Sequence, residues 1–367
     1  MTPIQADLIA EADRQLTVCN ACRYCEGYCA VFPAMERRRV FTAEDLVYMA
    51  NLCFECRACY YACPYTPPHQ YGINIPEVLA EVRIETYREM TPPSLLVRLF
   101  QGRLSTVAGA TVALIALVFG AVLAYSGPDA VFSANTAPGA FFDFIPYVAI
   151  LVPALALSAL WLGALGFGAV RFWRTTKAGA ADLIDARSFL RATKDAFGLE
   201  YLKGGGEGCT YPDSRFSHAR RWFHHVLVWG ILLDLASTTV AAIYHNFLDR
   251  DAPYAYLSLP VVLGTAGGFL IIAGVAGLLW LKSRSDVEPA NRRMLAIDRI
   301  FLYLLAVTSV SGLLLLALRE TAAMGTLLAV HLGIVAALFL MLPYGKFAHV
   351  VYRYAALVRY RIEDAGE

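Results

Sequence analysis

The sequence predicts an all-α protein, a small helical cysteine-rich domain followed by a six-helix membrane bundle. Three observations lead there. Beyond residue 103 the chain carries six apolar stretches, each near the ~20 residues needed to cross a bilayer. Ahead of them stand two cysteine runs of identical spacing. Around those runs the helix signals are clear and the strand signals few.

Composition agrees. The 367 residues leave room for two or three domains. Apolar residues make up 58% and charged ones 17%, below the roughly 25% of ordinary soluble domains. A mean hydropathy of +0.51 over this length implies several spans. The net charge of +1 argues against a nucleic-acid binder, which would carry a basic face. Met1 to Leu16 is polar with scattered acids and has no apolar core, so no signal peptide is expected.

Residues 1–93 form the first domain. Cys19, Cys22, Cys25 and Cys29 make one C-x2-C-x2-C-x3-C run; Cys53, Cys56, Cys59 and Cys63, followed by Pro64, make the second. In this bacterial ferredoxin pattern three thiolates of a run wrap one iron–sulfur cube, and the fourth ligates the neighbouring cube. One [4Fe–4S] cluster is therefore expected on Cys19, Cys22, Cys25 and Cys63, and the other on Cys53, Cys56, Cys59 and Cys29. Zinc would favour pairs of C-x2-C, and disulfides an oxidising compartment and a small secreted unit. Thr42-Ala-Glu-Asp45 reads as a capping box opening a helix into Cys53, and Pro76 to about Met90 as another helix, with Pro in its first turn. Helix before cluster favours an α-helical dicluster ferredoxin.

Residues 94–367 form the membrane domain. Ser94 to Arg103 is a short basic amphipathic approach to the bilayer surface. The spans fall at about 104–125, 145–170, 222–244, 257–281, 300–318 and 323–345. The 126–144 loop has no Lys or Arg, and 246–256 only Arg250. The long 171–221 loop carries ten, 282–295 carries Lys282, Arg284, Arg292 and Arg293, and the tail carries Lys346, Arg353, Arg359 and Arg361. Positive charge gathers inside, so both termini and both clusters are expected in the cytoplasm, in a multi-pass inner-membrane protein. Within the long loop, Ala181 to Tyr201 reads as one or two helices and Gly204-Gly-Gly-Glu-Gly-Cys-Thr-Tyr-Pro212 as a tight glycine-rich turn. Cys209, the ninth cysteine, is a buried structural thiol or a redox or partner contact.

Histidines stand at the ends of two spans. His331 and His349 are eighteen residues apart, five whole helical turns and about 27 Å, so one helix would present both on one face. His224 and His245 on the third span are about 31 Å apart and roughly 60° out of phase; His225 lies farther round, which favours His224. The spans run in opposite senses, so His224 meets His349 near the cytoplasm and His245 meets His331 nearer the outer face. Two bis-histidine sites would hold two b-type haems suited to electron transfer, making the bundle cytochrome-b-like. Asp234, mid-span, is a proton-relay or quinone-site residue or a structural group in the bundle. Tyr344, Lys346 and Asp298 are candidates for an inner quinone site.

The chain resembles the tricarballylate/citrate utilization protein B family. The resemblance rests on both cysteine runs, Gly204 to Pro212, Arg220-Arg-Trp-Phe-His-His225 and Ala-Ala-Ile-Tyr-His245. It implies a partner flavoprotein dehydrogenase that oxidises a tricarboxylate and hands its electrons on, through this chain, to the membrane quinone pool. Separately, Pro343-Tyr-Gly-Lys-Phe-Ala-His349 with His331 is similar to the last helix of the respiratory nitrate reductase gamma subunit family, which implies haem ligation by His331 and His349. The histidine spacing on the third span is longer here than in that family. A related fused arrangement occurs in a precorrin-oxidising enzyme, so a monooxygenase's membrane partner is an alternative; a redox-regulated transporter is another. No nucleophile–base set or dinucleotide fingerprint stands in the sequence, which makes the chain an oxidoreductase component rather than the subunit that converts substrate.

Overall fold

A computed structural model describes residues 5–137, 139–176 and 185–366. These are mostly helical, with a single antiparallel ribbon, β1 (Cys209–Thr210) against β2 (Phe216–Ser217). The cysteine module holds α1 (Ala6–Cys22), α2 (Val31–Glu36), α3 (Ala43–Leu52), α4 (Ala58–Ala62) and α5 (Ile75–Met90), and α6 (Ser94–Phe100) leads out of it. The capping box forms as the sequence implies. The Asp45 amide donates to Thr42 Oγ1 at 3.3 Å, and the Thr42 amide donates to Asp45 Oδ2 at 3.1 Å, satisfying donors a helix start leaves open. At the head of α5, Asn74 caps the Glu77 amide and Pro76 occupies the first turn.

Six helices are long and apolar enough to cross a membrane. They begin with α7 (Leu104–Ser126); after the short α8 (Pro128–Val131) and α9 (Ala140–Phe144) comes α10 (Tyr147–Thr175). The long loop contributes α11 (Ala186–Gly198) and a 3-10 turn at Glu200–Leu202; residues 181–184 of the helix expected there lie outside the described residues. Then follow α12 (Ala219–Leu248), α13 (Leu259–Ser283), α14 (Arg292–Leu318) and α15 (Met324–Met341). Leu117, Phe167 and Leu235 are exposed on the spans, as side chains facing lipid must be. The chain therefore belongs in a lipid bilayer.

Small residues set a close contact between α12 and α13. A methyl group added to Gly230 of α12 would stand 2.7 Å from the Ile271 amide, and one on Gly274 of α13 would stand 2.7 Å from the Leu227 amide. Such close backbone approach is how helices associate when water supplies no driving force between them. Asp234 lies in the same seam, against Gly267.

Span six departs from the expected single helix. It stops at Met341, passes through 3-10 turns at Leu342–Tyr344 and Lys346–Ala348, and restarts as α16 (His349–Ala365). Pro343 cannot donate to the helix, and Gly345 is extended (φ −118°, ψ −154°). His331 and His349 therefore sit on two helices, and five whole turns of one helix do not relate them.

After the break α16 turns into the cysteine module. Tyr352, Ala356 and Leu357 share one apolar core with Leu16, Tyr48, Met49 and Leu79, and Leu202 and Cys209 of the long loop join it. At its far end Arg38 binds Glu363 and Asp45, each at 2.6 Å. The tail and the long loop thus fix the module to the bundle.

Candidate metal centres

Cys19 and Cys22 occupy the last turn of α1, three residues apart on one face. Arg23 then takes a left-handed conformation (φ 56°) and turns the chain back, so that Cys25 meets them. Glu55 (φ 53°) and Arg57 (φ 66°) flank Cys56 in the same conformation. Non-glycine residues rarely adopt it and concentrate at functional sites. Cys19, Cys22, Cys25 and Cys63 line one hollow of about 300 Å³, its open mouth included, walled by Phe32, Tyr65 and Ile73. Cys29 leaves this group after the 3-10 turn Glu26–Tyr28 and stands within electrostatic reach of Cys53, Cys56 and Cys59. Among the described residues no three His, Cys, Asp or Glu side chains converge as they would on a single ion. The first quartet surrounds a volume, which suits a polynuclear group better than one metal atom. Burial, then the neighbouring thiols, pushes Cys19 and Cys25 up to about 12, so metal loading must displace protons.

The two quartets differ in cover. Cys22 is exposed and Tyr24 beside it is 69% exposed, whereas Cys53 and Cys56 are buried. The glycine-rich turn lies over the second quartet. The Thr210 amide donates to the Cys56 carbonyl at 3.1 Å, and the buried Cys209 thiol donates to the Leu202 carbonyl at 3.3 Å. Gly205 (φ +81°) lets the turn press on Gly27 and Tyr28, which a methyl group there would meet at 3.1 and 3.2 Å.

The structure brings His224 and His349 together. Their rings lie 6.3 Å apart between centroids, at 86°. His349 Nδ1 donates to the Lys346 carbonyl at 2.5 Å, which directs Nε2 away from the backbone. His224 Nδ1 is buried and has no partner among the described residues. Two metal–imidazole bonds of about 2 Å, with the radius of each ring, span roughly 6 Å, so an iron between the two rings fits this spacing. His225 turns elsewhere, to the Phe197 carbonyl at 2.9 Å.

The outer pair is arranged differently. His245 Nδ1 is 2.6 Å from Asp251 Oδ1, and its ring packs on Tyr147 at 3.8 Å. His331 Nδ1 is 2.9 Å from Ser311 Oγ, with its ring against Gly312 of α14. Each thus has a partner of the kind that orients a ligating imidazole. Among the described residues no ring contact joins His245 to His331.

Between the second quartet and the inner histidines lies a charged seam that the linear pattern did not disclose. Glu55 pairs with fully buried Arg83 at 3.2 Å. Burial opposes its charge, yet Arg83 and then Lys346 hold its carboxyl down to about 2. Asp298 binds both Lys282 and, at 2.6 Å, Lys346. The one available signal was Arg83 itself, a charge among the apolar positions Leu79, Val82 and Tyr87 of α5.

Fold and site together define a class: a ferredoxin-type cysteine module joined to a six-span helical membrane domain. Residues 101–367 match the family model for citrate utilization protein B, and residues 12–89 the model for its Fer4-like domain. The chain is 44% identical over 358 residues to citrate utilization protein B of Escherichia coli, covering 96% of this chain and 92% of that one. It belongs to the citrate utilization protein B family. No solved structure matches it.

Proposed function

We propose that this chain is the membrane electron-transfer component of a citrate- or tricarballylate-utilization system. It would take electrons from a separate flavoprotein dehydrogenase and deliver them to the quinone pool of the inner membrane, with both termini in the cytoplasm. Its relative's name points to citrate utilization, and its Fer4-like domain to iron–sulfur chemistry. In this reading Cys19, Cys22, Cys25 and Cys63 hold one [4Fe–4S] cluster and Cys53, Cys56, Cys59 and Cys29 the other. His224 and His349 hold one b-type haem, and His245 and His331 serve a second. Loaded in this way, the centres would supply one-electron steps between two-electron flavin and quinone chemistry.

The observation that carries the reading is the 6.3 Å His224–His349 pair, set beside the second cysteine quartet. The chain itself orders the sites. Exposed Cys22 and Tyr24 make the first quartet the side on which a flavoprotein can dock. The buried second quartet adjoins the histidines: Arg220, one turn before His224, donates to the Glu55 carbonyl at 2.6 Å, between Cys53 and Cys56. The Lys346 backbone carbonyl accepts from His349 Nδ1, which leaves that imidazole's Nε2 free for iron.

The test is anaerobic purification in detergent, with metal analysis and optical and paramagnetic spectra. About eight cluster irons and up to two haem irons are expected, with ferrous spectra unchanged by carbon monoxide. His349→Ala should remove one haem component and leave the cluster signals. Spectra identical to the wild type's would overturn the assignment of His349. A carbon monoxide shift would favour an open coordination site and a monooxygenase-type role.

A further inference from the structure

Each inner histidine has an arginine one helical turn away, on the side of the cysteine module. Arg220 precedes His224 by four residues on α12, and Arg353 follows His349 by four on α16. Four residues return a side chain to the same face, about 6 Å along the axis. Both guanidiniums reach one loop of the module. Arg220 donates to the Glu55 carbonyl at 2.6 Å, and Arg353 stands 4.6 Å over the Phe54 ring. The carboxylates nearby are already engaged, Glu55 by Arg83 and Asp298 by Lys282 and Lys346. Neither Arg220 nor Arg353 has an ion pair among the described residues, and Arg353, only 7% exposed, leaves Nε without a partner. Both lie within electrostatic reach of the second quartet's thiols, Arg220 of Cys56 and Arg353 of Cys53, but among the described residues no carboxylate pairs with either, and the two flank one ring pair from opposite helices.

We propose that Arg220 and Arg353 form a clamp for a dianion, the paired propionate carboxylates of a haem held between His224 and His349. This rests on the reading of that pair as haem ligands. The clamp would set the rotation of the macrocycle about the His–His axis, turning its carboxylate edge toward the Phe54–Glu55 loop of the second quartet. It would also favour the reduced form, because two adjacent positive charges oppose the extra charge of ferric iron.

The test uses the full-length protein in detergent and a potentiometric titration followed in the haem bands. Arg353→Met and Arg220→Met should each keep the inner haem and shift its reduction equilibrium at least tenfold toward the oxidised form, a fall of about 59 mV for one electron. Arg353→Lys should recover most of that shift. If Arg353→Met does not accumulate, Arg353→Gln and Arg353→Lys replace it, with Gln expected below Lys; equal values would overturn the clamp. A second arm loads protein from haem-deficient cells with haem or its dimethyl ester. The wild type should prefer the free acid at least tenfold, and Arg353→Met should lose that preference, a coupling that general loosening of the fold would not produce. Wild-type potential and haem preference in both Met variants would overturn the clamp and leave the histidine pair standing. A His349→Ala protein with its full haem spectrum would remove the pair and the clamp together.

Discussion

The two cysteine quartets begin as copies of one spacing and end in different surroundings. The first lines an open hollow beside exposed Cys22 and Tyr24. The second is folded under the glycine-rich turn, with the Thr210 amide and hydroxyl both donating to the Cys56 carbonyl. A repeat of spacing therefore marks two equivalent runs of thiols. It does not specify which quartet is covered and which is open. The 204–217 segment decides that, because it covers one quartet and leaves the other open.

The largest effect tests whether the quartets exchange their fourth ligand. Cys29→Ala should abolish the paramagnetic signal of the buried cluster and spare the exposed one, and Cys63→Ala should do the reverse. If Cys29→Ala silenced the exposed cluster instead, each run would ligate its own cube and the exchange would be overturned.

Next in size is access. An iron chelator should strip the first quartet well before the second, giving two phases of bleaching. A single phase would mean that the glycine-rich turn offers no protection. Gly205→Ala should narrow the gap between the phases. It forces a side chain into a left-handed conformation against Gly27 and Tyr28, at a cost of about 1–3 kcal/mol, and so should expose the buried quartet faster without changing iron content at the outset.

The smallest effect concerns the framework under both quartets. Asp45 is partly buried, which opposes its charge, but Arg38 and the Thr42 cap outweigh that and hold its carboxyl below the usual range. A lowered carboxylate contributes stability above its unfolded pKa and loses it as pH falls through the folded value. Module stability should therefore decline only below about pH 4 on this account. Thr42→Ala should cost about 1 kcal/mol at neutral pH; chemical denaturation monitored by loss of cluster absorbance would measure both. A Thr42→Ala protein as stable as the wild type would show that the cap adds nothing to the packing around α3.

Much of the molecule could be read without coordinates. The capping box at Thr42, the helix from about Pro76 to Met90 and all six spans follow from local chemistry: caps, proline at a first turn, and apolar length. Helical phase favours His224 over His225, and in the structure it is the His224 ring that stands 6.3 Å from that of His349. The His331–His349 relation does not hold in the form expected, because Pro343 and Gly345 interrupt the helix that would have joined them. The charged seam of Glu55, Arg83, Lys282, Asp298 and Lys346 was not legible as a unit. Its members lie up to 291 positions apart and meet only when α5, α13, α14 and the turn before α16 pack together.

The order of residues alone determined the all-helical class, the six membrane-capable helices and the two C-x2-C-x2-C-x3-C runs, since each depends on spacing within a few turns of chain. Tertiary structure decided which quartet is covered, which imidazoles face each other and where the unpaired guanidiniums gather. Those outcomes depend on contacts between segments distant in sequence, and burial and charge pairing are properties of the assembled surfaces, not of any one segment.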